Sequence, residues 1–182
     1  MKVLVACEFS GRVRDAFRAR GHDTTSCDLV PSELPEPHIM GNVLEYLDEG
    51  WDLLIAFPPC TYLSNAGACW HNGSQEQDKA LDFVVQLLSA PVPRIALENP
   101  VGAISYWYRK PDQIVEPYWF GDSYAKHTCL WLDNLPLLQI DRVCIPEDRG
   151  WYNRGGGTAK GRRHRSRTPL GLARAMAEQW SP

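Results

Sequence analysis

Two short stretches hold residue types able to do covalent chemistry. In Asp52 to Ser64 a cysteine, Cys60, follows an apolar run and the pair Pro58-Pro59. In Arg94 to Pro100 a second apolar run delivers Glu98 and Asn99 just ahead of a proline. A thiolate can add to an electron-poor ring, and a nearby carboxyl group can hydrogen-bond or protonate that ring as charge builds. Each piece alone has a plainer reading, because a free cysteine is most often a small buried hydrophobe and Glu98-Asn99 would suit a cap or a loop. The same design appearing twice is what points to chemistry.

The elements around them must bring the two stretches together. Leu53 to Phe57 is a continuous apolar run, as expected of a strand covered on both faces in a parallel sheet. Neither Pro58 nor Pro59 can donate to a ladder, so the chain leaves the sheet there and presents Cys60 at the strand's carboxyl end, where open α/β sheets bind ligands. Gln75 to Leu88 predicts an amphipathic helix with Ala80, Leu81, Val84, Val85, Leu87 and Leu88 toward the sheet. A right-handed crossover of that length makes the two strands parallel and puts Cys60 and Glu98 on one edge. Between them, polar Asn65 to Ser74 with Trp70 and His71 reads as a lid over a site or as a surface loop.

Upstream, Lys2 to Cys7 reads as a first strand, Gly11 to Arg20 as a helix with Val13, Ala16 and Phe17 on one face, and Thr24 to Cys27 as a second strand ending at Asp28. That order outlines a nucleotide-binding βαβ unit whose terminal acid meets ribose hydroxyls, although Gly11 is the single glycine of the turn. His38 to Val43 suggests a brief third strand, and Tyr106 to Phe120 irregular structure. Lys126 to Leu132 reads as a further strand, Trp151 to Gly161 as a flexible segment, and Thr168 to Trp180 as a closing helix with Leu172, Ala175, Met176 and Gln179 at helical spacing.

A chain of 182 residues with 44% hydrophobic content can bury one core, which predicts one domain over 1–182 that includes a basic loop at 149–167 and the closing helix at 168–180. No apolar run is long enough for a membrane span and no signal peptide is visible, so a soluble intracellular chain is expected. The six cysteines form no C-x-x-C pair and no zinc-type spacing, so neither a disulfide framework nor a metal is expected. The net charge of −3 conceals a stretch from Arg149 to Ala177 without an acid. Its arginines, including Arg162, Arg163, Arg165 and Arg167, read either as a phosphate-contacting patch or as a solvated loop.

These residues together resemble the cytosine-C5 DNA methyltransferases, and more closely the short members from bacteriophages and prophages. Pro58-Pro59-Cys60 is similar to the family's catalytic Pro-Cys loop and Glu98-Asn99 to its Glu-Asn motif, here followed by proline. The resemblance implies an α/β fold, a Rossmann-like three-layer sandwich with a mostly parallel sheet. It implies S-adenosylmethionine bound at Phe9, Ser10 and Gly11, with Asp28 at the ribose, Asn42 where short relatives often carry an adenine-binding aspartate, and Pro58 beside it. It further implies Cys60 adding to C6 of a flipped or single-stranded cytosine, Glu98 on N3 and the exocyclic amine, and Asn99 positioning the loop. The chain departs from the family in the thin glycine turn, in Lys126-x-Thr128 where larger members carry Gln-x-Arg-x-Arg, and in the short span between Leu132 and Thr168 where they insert a target-recognition domain. Low sequence specificity follows, with Arg162, Arg163, Arg165 and Arg167 on DNA phosphates and with recognition supplied, if anywhere, by a partner protein or a second copy. The setting implied is the cytoplasm of a bacterial or phage-infected cell. Two other readings stay open: a different one-carbon donor such as a folate, with DNA or a nucleotide as acceptor, and a non-catalytic DNA-binding relative.

Overall fold

The computed structural model describes residues 1–65, 71–146 and 158–182. Trp70, part of the expected lid and the Gly155 to Gly157 run lie outside the described residues, as does the side chain of Arg162.

Seven strands form one sheet in the order β3-β2-β1-β4-β5-β7-β6. They are β1 (Lys2–Ala6), β2 (Asp23–Asp28), β3 (His38–Met40), β4 (Leu53–Ala56), β5 (Ile95–Pro100), β6 (Gln113–Val115) and β7 (Thr128–Asp133). The first five run parallel, while β7 lies antiparallel to both β5 and β6. Successive side chains of a strand point to opposite faces, and here both faces are apolar. Val3, Val5, Leu53 and Ile55 pack on one side with Val13 and Phe17 of α1 (Arg12–Arg18) and with Leu172 and Met176 of a C-terminal helix (Leu170–Trp180). Leu4, Ala6, Leu54 and Ala56 pack on the other with Val84 and Leu87 of α2 (Gln75–Leu88). Helices on both faces of a mostly parallel sheet make a three-layer Rossmann-like fold.

The connecting helix α2 has the predicted bounds, capped by Ser74, whose hydroxyl accepts from Gln77 N–H at 3.2 Å. Its Val85, expected to face the sheet, is 39% exposed, because only the Gln77, Val84 and Leu87 line of that helix turns fully inward. The Tyr106 to Phe120 segment and the residues leading into it are not irregular throughout. They hold a short helix, α3 (Ala103–Trp107), and β6, an edge strand too brief to show a period in sequence. Arg14 also departs from expectation, for it is fully buried. Its Nε donates to Asp15 Oδ1 at 2.7 Å and its Nη1 to Ser26 Oγ at 3.2 Å, Ser32 Oγ at 3.3 Å and the Pro37 carbonyl at 3.3 Å, tying α1 to β2 and the loop beyond it.

The basic segment is likewise not a continuous loop. Ala159–Arg165 forms a helix, α4, and the C-terminal helix, α5, begins at Leu170 with Pro169 at its cap. Among the described residues no helix is long and apolar enough to cross a membrane, and no cluster of His, Cys, Asp or Glu is arranged to hold a metal ion.

Candidate active site

The carboxyl edge of the parallel strands opens into a single cleft of about 1000 Å³. The strand order reverses direction between β1 and β4, the place where α/β sheets of this kind leave a crevice for ligands. At one end the cleft is lined by Asp28, Leu29 and Asn42, and at the other by Cys60, Glu98 and Lys126.

Cys60 follows β4 as expected. The chain leaves the ladder at Phe57, whose N–H still donates to the Ala6 carbonyl at 3.0 Å, and the prolines then carry it over the sheet edge. The Cys60 carbonyl accepts from Leu63 N–H at 3.1 Å and from Ser64 N–H at 2.9 Å, closing a turn on the cysteine itself. A neighbouring strand holds this turn. Asn99 is 1% exposed, and its Nδ2 donates to the Pro58 carbonyl at 2.8 Å. Beyond it, Ala103 N–H donates to the Leu63 carbonyl at 2.7 Å and Asn65 N–H to the Val101 carbonyl at 3.1 Å. The two motifs are therefore stitched together by backbone and amide bonds.

Glu98 faces the cleft with Lys126, and their Nζ to Oε1 separation is 3.6 Å with side chains 11% and 12% exposed. Lys126 is available there because β7 is antiparallel: Thr128 pairs with Pro100, so the residues just before the strand, rather than those after it, stand at the ligand edge. Cys60 is exposed to the open cleft, yet the surrounding walls desolvate its thiol enough to raise it above its ordinary pKa; the Glu98 charge adds to that effect, and Lys126 and Arg165 oppose it. The resting sulfur is therefore a thiol at neutral pH. Cys7 lines the same cleft, but burial first and Asp28 second push it up to about 12, which leaves it a poor nucleophile.

Of the residues expected at a cofactor, Phe9, Asp28, Asn42 and Pro58 line the cleft. Asp28 Oδ1 accepts from Val30 N–H at 3.2 Å, and the carboxyl is raised by burial despite that bond. Asn42 Oδ1 caps the one-turn helix Val43–Tyr46, accepting from Leu44 N–H at 3.3 Å. Ser10 and Gly11 are not among the lining residues. Ser10 donates to Glu8 Oε1 at 3.1 Å, and the same oxygen accepts from Val13 N–H at 2.8 Å, so the buried Glu8 carboxylate occupies the amino end of α1. The Cys7-Glu8 dipeptide offered no spacing signal by which this role could be read. Gly11 sits at φ 71°, a left-handed conformation that favours glycine, with Arg14 Nη2 packed where a Cβ would stand.

The arginines of 162–167 divide. Arg165 reaches the cleft on the Cys60 side. Arg163 and Arg167 instead hold Glu33: Arg163 Nε meets Oε1 at 3.0 Å, and Arg167 donates from Nε to Oε2 at 2.7 Å and from Nη2 to Oε1 at 2.9 Å. The Arg163 guanidinium also lies 4.7 Å from the Phe9 ring centre. Two residues that sequence reasoning passed over stand at and behind the rim. His127 lines the cleft, and its Nδ1 is 2.7 Å from Oε1 of buried Glu116, whose Oε2 accepts from Lys126 N–H at 2.7 Å.

No protein-family model matches the chain, and no curated protein sequence does. Similar solved structures include the methyltransferase EhMeth of Entamoeba histolytica, with a TM-score of 0.51 at 14% identity over 84% of this chain and 59% of that one. A DNMT2 mutant from Spodoptera frugiperda gives 0.47 at 14% identity over 82% and 56%, and an rRNA methylase from Escherichia coli gives 0.41 at 14% over 72% and 55%. The chain thus spans between 55% and 59% of the length of these proteins. At this identity the likeness to EhMeth is one of fold alone, a Rossmann-like mostly parallel sheet.

Proposed function

We propose that this chain transfers a methyl group from S-adenosylmethionine to C5 of cytosine in DNA. The observation that carries the reading is that Cys60 and Glu98 open into one cleft whose far end holds Asp28. The residues there fit the cofactor: Asp28 stands at the end of β2 for ribose hydroxyls, Leu29 offers an exposed apolar surface, and Asn42 keeps its amide donors beside its capping bond. When bound, the cofactor supplies an electrophilic methyl group.

The chain's own residues do the rest. Cys60, once deprotonated, adds to C6 and makes C5 electron-rich. Glu98 takes N3 and the exocyclic amine, and Asn99 keeps the Cys60 turn in place through Pro58. After transfer, loss of the C5 proton and elimination of Cys60 restore the ring. Attack at C6 requires the ring face, so the base is presented flipped or single-stranded. Arg162 and Arg165, joined by Arg163 and Arg167 once these leave Glu33, meet phosphates, which carry no base information, so the recognised context is one or two bases, and further selectivity comes from a partner chain or a second copy. Purified protein is incubated with S-adenosylmethionine and cytosine-containing DNA or RNA, and the released nucleosides are analysed by mass. 5-Methyldeoxycytidine is the expected product. 5-Methylcytidine from RNA alone overturns the choice of DNA, transfer only with a folate overturns the donor, and no product with either nucleic acid overturns the reaction.

A further inference from the structure

A reaction that replaces the C5 hydrogen needs a base, and the side chains at the Cys60 end of the cleft are not equal to that task. Lys126 and Arg165 carry positive charge and cannot accept a proton. Glu98 is paired with Lys126, and Asn99 Nδ2 is engaged by Pro58. Glu76 also lines the cleft, but it is exposed on the first turn of α2, and among the described residues no hydrogen bond fixes it. His127 differs from all of these. Its imidazole is held by Glu116, whose side chain is 8% exposed, while its own side chain is 75% exposed at the rim. A carboxylate only accepts, so the Nδ1 facing it carries a proton, and in the neutral ring the lone pair is then on Nε2. The Glu116 carboxylate is itself fixed through Oε2 by Lys126 N–H at 2.7 Å, so the ring is anchored from a rigid strand entry.

Resting on the reaction proposed above, we propose that His127 is the base that removes the C5 proton, with Glu116 as its positioning residue. The C5 hydrogen leaves within the cleft that His127 lines together with Cys60 and Glu98. His127 Nε2 takes that proton, the C–H electron pair becomes the C5–C6 double bond, and the C6–S pair returns to Cys60 as thiolate. The imidazolium then gives its proton to water.

The test uses DNA carrying tritium at cytosine C5 together with S-adenosylmethionine labelled in its methyl group. Wild-type protein releases tritium in step with methyl incorporation. H127A is expected to incorporate methyl once, to accumulate a denaturation-resistant adduct through Cys60, and to release tritium about 10²-fold more slowly. Added imidazole restores release in H127G, which a purely structural role for the ring would not allow. E116Q slows release without slowing adduct formation, and E116D recovers part of the loss. Tritium release that keeps pace with methyl incorporation in H127A overturns the assignment of the base while leaving the reaction standing. A wild-type protein that transfers no methyl to cytosine overturns the reaction and this role with it.

Discussion

The two ends of the cleft are held by different forces. Around Cys60 the bonds that hold the backbone are neutral and short, Asn99 to Pro58 at 2.8 Å and Ala103 to Leu63 at 2.7 Å, and the one ion pair beside them, Glu98 with Lys126, is largely buried. Around Phe9 the wall is an ion cluster, with Arg163 and Arg167 of the segment after α4 begins gripping Glu33 in the loop between β2 and β3. Buried amide bonds are indifferent to salt and to competing anions, whereas partly exposed ion pairs are sensitive to both. The chemistry end is thus built to stay still, and the binding end is built to exchange partners.

Replacing Cys60, the proposed nucleophile, is the hardest test of that contrast. C60S is expected to lower methyl transfer by at least about 10³-fold while the thermal midpoint stays within about 2 °C of wild type, since surface changes are usually within about 0.5 kcal/mol. A large loss of stability would show that the turn depends on sulfur packing.

Glu98 comes next, and it separates charge from mere presence. E98Q is expected to reduce transfer about 10²-fold. The thiol of Cys60, raised in part by Glu98, should fall when that charge is removed, so the thiolate fraction at neutral pH rises. Alkylation at Cys60, followed by peptide mass analysis, is therefore faster in E98Q and slower in K126A, which loses an opposing charge. The reverse order would refute the electrostatic account.

Asn99 tests the stitching itself. N99A deletes a buried donor to Pro58 and leaves that carbonyl short of its partner, a loss of about 1–3 kcal/mol visible in denaturant midpoint. The smallest effect is expected at Glu33. Its arginines hold this carboxyl well below its ordinary 4.5, at about 2. A lowered carboxyl pKa contributes stability above 4.5 and loses it as pH falls toward 2. The stability difference between wild type and E33Q should be constant near neutrality and vanish across that acid window, and E33Q should bind DNA more tightly, with a steeper salt dependence, because two arginines are released to phosphates.

Much of the chemistry end was legible in sequence because its signals are local. Apolar runs stopped by proline gave both strand ends, and the periodicity of Gln75 to Leu88 gave the helix that makes them parallel. What escaped notice depends on long-range pairing. That β7 runs antiparallel is invisible in its own residues, yet it alone brings Lys126 and His127 to the ligand edge. Arg14 lies on a helix whose pattern marks it as exposed, and only the hydroxyls and carbonyl that surround it permit its burial. The arginine segment read as a loop because Arg, His and Lys carry no amphipathic pattern, and Glu33, its partner, lies over a hundred residues upstream.

Gly102 sets a limit on how this protein can diverge. A Cβ at that position would stand 1.8 Å from the Leu63 carbonyl oxygen, far inside van der Waals contact, and the obstacle is backbone that cannot step aside without unseating the Cys60 turn. Descendants that acquire any other residue there lose the join between the two motifs at a stroke, so drift at this position is closed. New substrate preferences have to arise by changes in exposed neighbours such as Thr61 and Asn65, which border the same cleft and carry no such constraint.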